Sequence, residues 1–217
     1  MSGGVLEAVC RVHQLLPIPG HLGVTGIDKR PVDDAVKVHG LGLRGDVQVS
    51  RKHHGGPDKA VYAYSAESAA WWAAELGRDV GPGLFGENLR TRGLDVDGAV
   101  VGERWQVGET GDGPLLEVTM PRTPCATFTH RMGERGWARR FADGGRPGAY
   151  LRVGRTGTLR AGDAVHVVHR PDHGVSVAAL FAGDARAAAT LLAAADAGQL
   201  ELATAMARHA RGVANRR

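Results

Sequence analysis

The chain has 217 residues, a length that suits one large domain or one medium-sized domain with an appendage. Its 27 basic and 23 acidic side chains leave a formal net charge of +4, which permits an anionic ligand but is too small to indicate a nucleic-acid partner. The 32 glycines and the low aromatic content favour many short strands joined by tight turns.

The two cysteines, Cys10 and Cys125, form neither a CxxC pair nor a zinc pattern nor a disulfide framework. Such cysteine usage is typical of a reducing compartment. The sequence contains no apolar run of membrane-spanning length and no pattern of a secretory signal. We therefore expect a cytoplasmic protein without a membrane or nucleic-acid partner.

The first 60 residues alternate apolar runs with turn formers. Residues 5–16 predict a first strand, which Pro17 and Pro19 end. Residues 17–25 are rich in turn formers, and the apolar run at residues 35–38 predicts a second strand. A glycine-rich loop, HHGGPDKA, follows at residues 53–60, where the backbone can approach a ligand closely.

A helix is predicted after the β-prone run at residues 61–64. Ser65 is a suitable N-cap, and Gly77 ends the alanine-rich stretch that follows. Residues 129–141 allow a short helix. The segments between turns rich in Gly and Asp predict further strands at residues 89–91, 104–107, 115–119, 148–153 and 164–168. Many short strands with frequent turns predict a mainly β fold with a barrel or sandwich-like core.

From Ser176 onwards the sequence becomes rich in alanine and leucine. Ser176 and Asp184 are suitable N-caps. The predicted helices span residues 176–181, 184–195 and 199–211. Three helices in so few residues are too small to be an independent fold, so they are expected to pack on the β core or on another subunit. The predicted domains are residues 1–172 and 173–217.

One cysteine follows two prolines and an arginine, in the segment MPRTPC at residues 120–125. Pro121 and Pro124 should hold Cys125 on a stiff, non-helical support. The guanidinium of Arg122 favours the thiolate, which attacks electrophiles and binds metals. The alternative is a buried cysteine that only fills space at the end of a strand.

Four segments in the same order resemble the MOSC-domain family, named after the C-terminus of molybdenum-cofactor sulfurase. They are GD at residues 45–46, HGGPDKA at 54–60, FGENL at 85–89 and PRTPC at 121–125. The resemblance covers roughly residues 5–170. The helical tail resembles the three-helix extension of the YiiM-like branch, the 6-hydroxylaminopurine resistance proteins.

The resemblance implies a MOSC-type β-barrel core that binds a molybdopterin-type molybdenum cofactor. Cys125 would be the protein ligand to the metal, and the pterin dithiolene would supply the other sulfurs. The implied activity is reduction of N-hydroxylated compounds, such as N-hydroxylated purine bases, to amines. Because the sequence has no flavin, haem or iron–sulfur motif, the electrons must come from a partner, and the resemblance implies a separate flavin or haem reductase. The family also has a looser association with pyridoxal phosphate, and the oligomeric state stays open, a dimer included.

The resemblance and the local chemistry together select the candidate site residues. A glycine-rich loop followed by a lysine offers backbone amides and a cation to the pterin phosphate. An amide suits the edge of the pterin, and a carboxylate would move protons during N–O cleavage. The cofactor-binding candidates are His54, Gly55, Gly56, Lys59, Glu87, Asn88, Arg122 and Cys125. The catalytic candidates are Cys125 and Asp58.

Several candidates also have a structural interpretation. His54 either fixes its loop or contacts the cofactor, and Asp58 either closes an Asx turn or takes part in the chemistry. Glu87 and Asn88 either bind the pterin or cap the local backbone. For the whole protein, the alternative to an enzyme is a carrier of molybdenum cofactor or of sulfur on Cys125. A third hypothesis is a cofactor-free thiol enzyme with His54 as its base.

Overall fold

The computed structural model describes residues 3–19, 23–49, 55–109 and 112–215. Within these ranges the chain is mainly β, as predicted, with eleven strands and six α-helices. The strands are β1 (Gly3–Pro17), β2 (Val24–Pro31), β3 (Val36–His39), β4 (Gly42–Leu43), β5 (Val61–Ser65), β6 (Leu89–Arg92), β7 (Arg104–Val107), β8 (Leu115–Pro121), β9 (Ala149–Arg155), β10 (Gly157–Leu159) and β11 (Ala164–His169). The helices are α1 (Ala66–Leu76), α2 (Ala126–Met132), α3 (Trp137–Gly144), α4 (Val177–Phe181), α5 (Ala185–Asp196) and α6 (Thr204–Ala214), and a 3-10 turn spans Pro57–Lys59.

Eight strands form one sheet in the order β11-β7-β8-β9-β5-β6-β1-β2. β11 also pairs with β1, so the seven strands from β11 to β1 form a closed circuit of hydrogen-bonded neighbours. β2 pairs with β1 and lies outside this circuit. The pairs are antiparallel except for β5 and β6, which run parallel. A parallel pair needs a crossover connection, and α1 lies in the segment that joins these two strands. A smaller sheet has the order β10-β3-β4.

The predicted helix over residues 66–76 is confirmed, together with both of its ends. The Ser65 side chain accepts a hydrogen bond from Ser68 N at 3.1 Å, and Gly77 ends α1 with a φ of +62°. A left-handed φ of this kind favours glycine because it has no Cβ. Local capping chemistry is therefore enough to define this helix.

Strand β2 is missing from the sequence-based prediction, which assigned residues 17–25 to turns. The strand carries apolar side chains only at Val24 and Ile27, and it ends in a charged run with Pro31. Among the described strands it pairs with β1 alone, along residues 10–17 of β1. An edge strand with so little apolar alternation forms because its neighbour offers hydrogen bonds, which composition does not reveal.

Residues 129–141, predicted to allow one short helix, belong to two helices. Gly133 and Gly136 have φ values of +66° and +68°, so α2 ends and α3 begins at these glycines. Both helices turn aromatic side chains inwards, with Phe128, Trp137 and Phe141 fully buried. These rings pack with those of Trp72 and Phe85 into an aromatic core behind the segment that carries Cys125.

The three C-terminal helices occur close to the predicted positions, and both predicted N-caps are confirmed. Ser176 accepts from Ala179 N at 3.2 Å, and Asp184 accepts from Arg186 N at 2.9 Å. The last helix begins at residue 204 instead of residue 199. Buried side chains of all three helices belong to the same apolar cluster as the large sheet, so the helices pack on the β core as expected.

Candidate functional site

Cys125 lies in the connection between β8 and α2, where residues 122–125 have no regular secondary structure. Its φ of −131° and ψ of 169° are extended, and it occupies the N-cap position of α2. This geometry confirms the non-helical support predicted from Pro121 and Pro124. The side chain is half-buried, and it lines a cavity of about 300 Å³.

The cavity has an apolar side and a charged side. Its apolar lining includes Ile18, Val24, Ile27, Val47 and Val49. Its charged lining residues, within the part of the chain that the structure describes, are Lys29, Lys59, Arg122 and Asp46. Asn88, Tyr62 and Tyr150 add polar groups. With three cations against one carboxylate, the cavity favours an anionic ligand that also carries an apolar or planar body.

Arg122 places a fixed positive charge beside the thiol. The residue is only 6% exposed, and its guanidinium lies 4.0 Å from the ring centroid of Phe128 and 4.9 Å from that of Tyr62. It also donates a hydrogen bond to the carbonyl of Phe85. Burial acts to lower the pKa of Arg122, but interactions with Tyr150, Tyr62 and Cys125 outweigh it and raise the pKa. The guanidinium therefore stays charged and immobile beside Cys125.

Lys59 is the last residue of the 3-10 turn Pro57–Lys59 and lines the same cavity. Its Nζ lies 5.6 Å from the ring centroid of Tyr150. Burial lowers the pKa of Lys59, while Cys125 and Asp58 act in the opposite direction. The ammonium of Lys59 and the thiol of Cys125 thus lie within electrostatic range of each other, and phosphate binding by Lys59 stays a prediction.

Asp46 joins two further polar residues of the cavity wall. Its Oδ2 accepts from Lys29 Nζ at 2.5 Å and from Asn88 Nδ2 at 2.8 Å, and its Oδ1 accepts from the backbone amide of Val12 at 2.9 Å. Asn88 Oδ1 in turn accepts from Tyr62 N at 3.2 Å. Asn88 therefore braces the backbone, as its structural interpretation has it, and it also lines the cavity, while pterin binding stays a prediction.

Sequence reasoning missed Lys29 and did not assign a role to Asp46. Lys29 lies on β2, the strand that composition did not reveal, so its direction was unknown. Asp46 belongs to the Gly-Asp segment at residues 45–46 that carries the family resemblance, and this segment was the available indication. Tyr62 and Tyr150 face the cavity from β5 and β9, two strands that were predicted.

Glu87 does not line the cavity. Its carboxylate is fully buried and accepts from Gly83 N at 2.8 Å, from Phe85 N at 3.1 Å and from Arg90 Nε at 3.0 Å. These contacts close the loop before β6 and pair the charge with Arg90. The geometry matches the capping interpretation of Glu87, since both carboxylate oxygens accept hydrogen bonds from the protein and the residue does not line the cavity.

Asp58 also lies away from the cavity lining, contrary to its selection as a catalytic residue. Its Oδ1 is 3.1 Å from Arg152 Nη2, and its side chain is 37% exposed. The 3-10 turn directs Lys59 inwards and leaves Asp58 on the side of β9. Among the described lining residues the carboxylate is that of Asp46, so Asp46 replaces Asp58 as the candidate acidic group.

The glycine-rich loop is described only in part. His54 lies outside the described residues. The structure therefore gives no position for His54, either as a cofactor contact or as the base of the thiol-enzyme hypothesis. Gly56 has a φ of +90° and donates from its backbone amide to Gln48 Oε1 at 2.9 Å. The left-handed φ explains the need for glycine here. Neither Gly55 nor Gly56 belongs to the described lining of the cavity.

The two thiols are expected to differ in reactivity. Cys10 is fully buried in β1, and burial raises its pKa to about 12. A thiol with so high a pKa has almost no thiolate near pH 8, and the thiolate is the reactive form. In protein without cofactor, a thiol reagent should modify Cys125 quickly and Cys10 only after unfolding. Peptide mapping of the labelled cysteines checks this, and fast labelling of Cys10 in folded protein would contradict it.

Two properties of the described residues bear on the site. Within residues 3–19, 23–49, 55–109 and 112–215, no group of three or more His, Cys, Asp or Glu side chains is arranged to hold a metal ion. In the same ranges, no helix combines the length and apolar character needed to cross a membrane.

Comparison with known families and proteins agrees with this picture. The MOSC domain family model matches residues 50–166. The chain is 33% identical to the uncharacterised protein YflK of Bacillus subtilis over 164 residues, 76% of this chain and 72% of YflK. It is also 33% identical to protein YiiM of Escherichia coli over 150 residues, 67% of this chain and 65% of YiiM.

A third relative is a protein of Gibberella moniliformis named reductase, which is 31% identical over 150 residues. Those residues are 68% of this chain but only 26% of that protein, so the chain spans about a quarter of its length. Among solved structures, YiiM from Geobacillus stearothermophilus superposes with a TM-score of 0.75 at 24% identity. The superposition covers 97% of this chain and 98% of that one, which shows that the two share a fold.

Proposed function

Because the chain belongs to the MOSC domain family and is YiiM-like, we propose that it is a molybdenum-cofactor oxidoreductase that reduces N-hydroxylated compounds to amines. The observation that carries the proposal is the shared cavity of Cys125, Lys29, Lys59 and Arg122. The relative named reductase supports an activity of this class.

The residues present fit a molybdopterin-type group. A thiolate is a soft donor that suits a sulfur-ligated transition metal, and among the described lining residues Cys125 is able to supply one. The described residues offer no complete ligand set of their own, which suits a metal that arrives with sulfur ligands from a dithiolene. Three cations in the lining suit an anionic pterin phosphate, and the apolar side suits a planar ring system.

In this proposal the protein binds and orients the cofactor and the substrate, and it excludes water. The cofactor supplies the oxygen-accepting redox chemistry. Arg122 holds positive charge beside the thiolate of Cys125, and Lys59 adds a second cation on the side of Tyr150. Asp46 holds the ammonium of Lys29 at a fixed place on the cavity wall. The overall reaction breaks the N–O bond, consumes two electrons and two protons, and yields the amine and water.

We also propose the remaining features that the family resemblance implies. A separate flavin or haem reductase supplies the electrons, and the cysteine usage favours the cytoplasm as the compartment. The circuit of strand pairs through β11 and β1 supports a MOSC-type barrel over residues 1–172. The helices after residue 172 then form the three-helix extension of the YiiM-like branch.

The proposal is tested with protein purified from a host that makes molybdenum cofactor. Molybdenum and pterin should be present at close to one per chain. With dithionite-reduced viologen as donor, 6-hydroxylaminopurine should disappear and adenine should form. Absence of molybdenum would reject the proposal. Bound cofactor without turnover would favour the alternative, a carrier of the cofactor or of sulfur on Cys125.

A further inference from the structure

Tyr150 is a half-buried phenol that lines the cavity and has no role in the function proposed above. It lies on β9, opposite Tyr62 of β5 and Met120 of β8. The ring centroids of Tyr150 and Tyr62 are 5.1 Å apart, and Lys59 Nζ lies 5.6 Å from the ring of Tyr150. Packing between strands and a lysine therefore fixes the ring at the edge of the cavity.

Most polar groups around Tyr150 are already engaged. The Tyr62 hydroxyl donates to the carbonyl of Pro147 at 2.8 Å, Lys29 and Asn88 bond to Asp46, and Arg122 donates to Phe85. In contrast, the hydrogen bonds among the described residues include none from the hydroxyl of Tyr150. Because Tyr150 lines the cavity, its hydroxyl is available to a hydrogen-bond acceptor on a ligand.

The surroundings keep this phenol protonated. Burial raises the pKa of Tyr150, Arg122 acts to lower it, and Cys125 acts to raise it further. Tyr150 is therefore a neutral donor near neutral pH, and the nearby cations polarise its O–H bond. A neutral donor of this kind can serve an oxygen that gains negative charge during a reaction.

We propose that Tyr150 is a catalytic residue that donates a hydrogen bond to the oxygen of the substrate's N–O group beside Cys125. This inference rests on the proposed function and names the residue that contacts the reacting oxygen. The hydrogen bond strengthens as charge gathers on that oxygen while the N–O bond breaks. The electrons come from the reductase and the two protons from water, so the phenol is unchanged over the cycle.

The test compares Tyr150→Phe with Tyr64→Phe. Tyr64→Phe also removes a hydroxyl that makes a hydrogen bond, because the Tyr64 hydroxyl donates to Arg146 O at 3.0 Å. Tyr64 does not belong to the described lining of the cavity. Both variants should retain the wild-type molybdenum and pterin content. With reduced viologen and 6-hydroxylaminopurine, Tyr150→Phe should lower kcat roughly 100-fold while KM changes little, because the interaction is strongest in the transition state. Tyr64→Phe should keep the wild-type kcat.

A binding measurement without an electron donor gives a second, independent readout. Tyr150→Phe should weaken binding of 6-hydroxylaminopurine roughly 2- to 10-fold, since one neutral hydrogen bond is lost. Binding of adenine, which lacks the oxygen, should not change. If Tyr150→Phe yields little folded protein, 3-fluorotyrosine at position 150 keeps the ring and makes the hydroxyl a stronger donor. This substitution should tighten binding of 6-hydroxylaminopurine and leave binding of adenine unchanged.

The outcomes separate this inference from the proposed function. Wild-type protein that holds cofactor but does not reduce 6-hydroxylaminopurine would reject the proposed function. Active wild type together with a fully active Tyr150→Phe would overturn the role of Tyr150 and leave the proposed function intact. Loss of molybdenum from Tyr150→Phe would also overturn it, since the phenol would then hold the cofactor. Equal weakening of 6-hydroxylaminopurine and adenine binding would count against it in the same way.

Discussion

Replacing Cys125 by serine is expected to abolish molybdenum-dependent reduction and to remove the metal. A serine hydroxyl remains protonated near Arg122 and is a hard donor, whereas a thiolate is soft and strongly donating. Loss of an outer partner of a metal ligand already costs about 10- to 100-fold in affinity. Loss of the protein ligand itself should therefore lower the retained molybdenum at least about 100-fold.

Molybdenum content, measured by elemental analysis per protein chain, checks this expectation directly. Activity with reduced viologen and 6-hydroxylaminopurine should be lost in parallel. Cys10→Ala is the matched control, because Cys10 is fully buried in β1 and its side chain does not line the cavity. That variant should keep the wild-type molybdenum content. Full molybdenum content and turnover in Cys125→Ser would refute the assignment of Cys125 as the metal ligand.

Glu87→Gln is expected to destabilise the fold by about 3–5 kcal/mol, because it removes one partner of a buried ion pair. Glu87 and Arg90 have side chains that are 0% and 3% exposed, and the carboxylate also accepts two backbone hydrogen bonds. The amide leaves the guanidinium of Arg90 without a counter-charge. Part of the hydrogen bonding to Gly83 and Phe85 must also rearrange, because an amide offers one acceptor oxygen instead of two.

Urea unfolding monitored by circular dichroism measures the loss, and thermal unfolding should show a midpoint roughly 6–20 °C lower. Asp143→Asn provides the control, since the Arg139–Asp143 pair lies at the surface with side chains 89% and 71% exposed. Its stability should stay within about 0.5 kcal/mol of wild type. A Glu87→Gln protein with normal stability but no cofactor would instead make Glu87 a cofactor-binding residue.

The parts of the fold that local chemistry determines could be predicted from the sequence. Ser65 and Gly77 define α1 through capping, and Pro121 and Pro124 define the extended backbone at Cys125. The mainly β class follows from short apolar runs between glycine-rich turns. Each of these features depends on a few adjacent residues, so it can be recognised from the sequence alone.

The parts that depend on distant contacts could not be predicted. Lys29 enters the cavity because β2 pairs with β1, and composition does not reveal that pairing. Glu87 and Asn88 are adjacent, yet one turns into the protein towards Arg90 and the other towards Asp46. Tyr150 was inside a predicted strand, but the side of the sheet that it faces depends on its register with β5 and β8.

The two halves of β1 differ in burial and in the strands they pair with, and they are therefore expected to differ in local opening. Its first half, up to Val9, carries the buried Leu6, Ala8 and Val9 and pairs with β6 and β11. Its second half pairs with β2, carries the exposed Leu15, and leads to Ile18 on the cavity wall. Backbone amides in the second half should exchange with solvent in small opening events, while those of the first half exchange only on global unfolding. The cavity wall at Ile18 is therefore expected to open more readily than the part of β1 that pairs with β6 and β11.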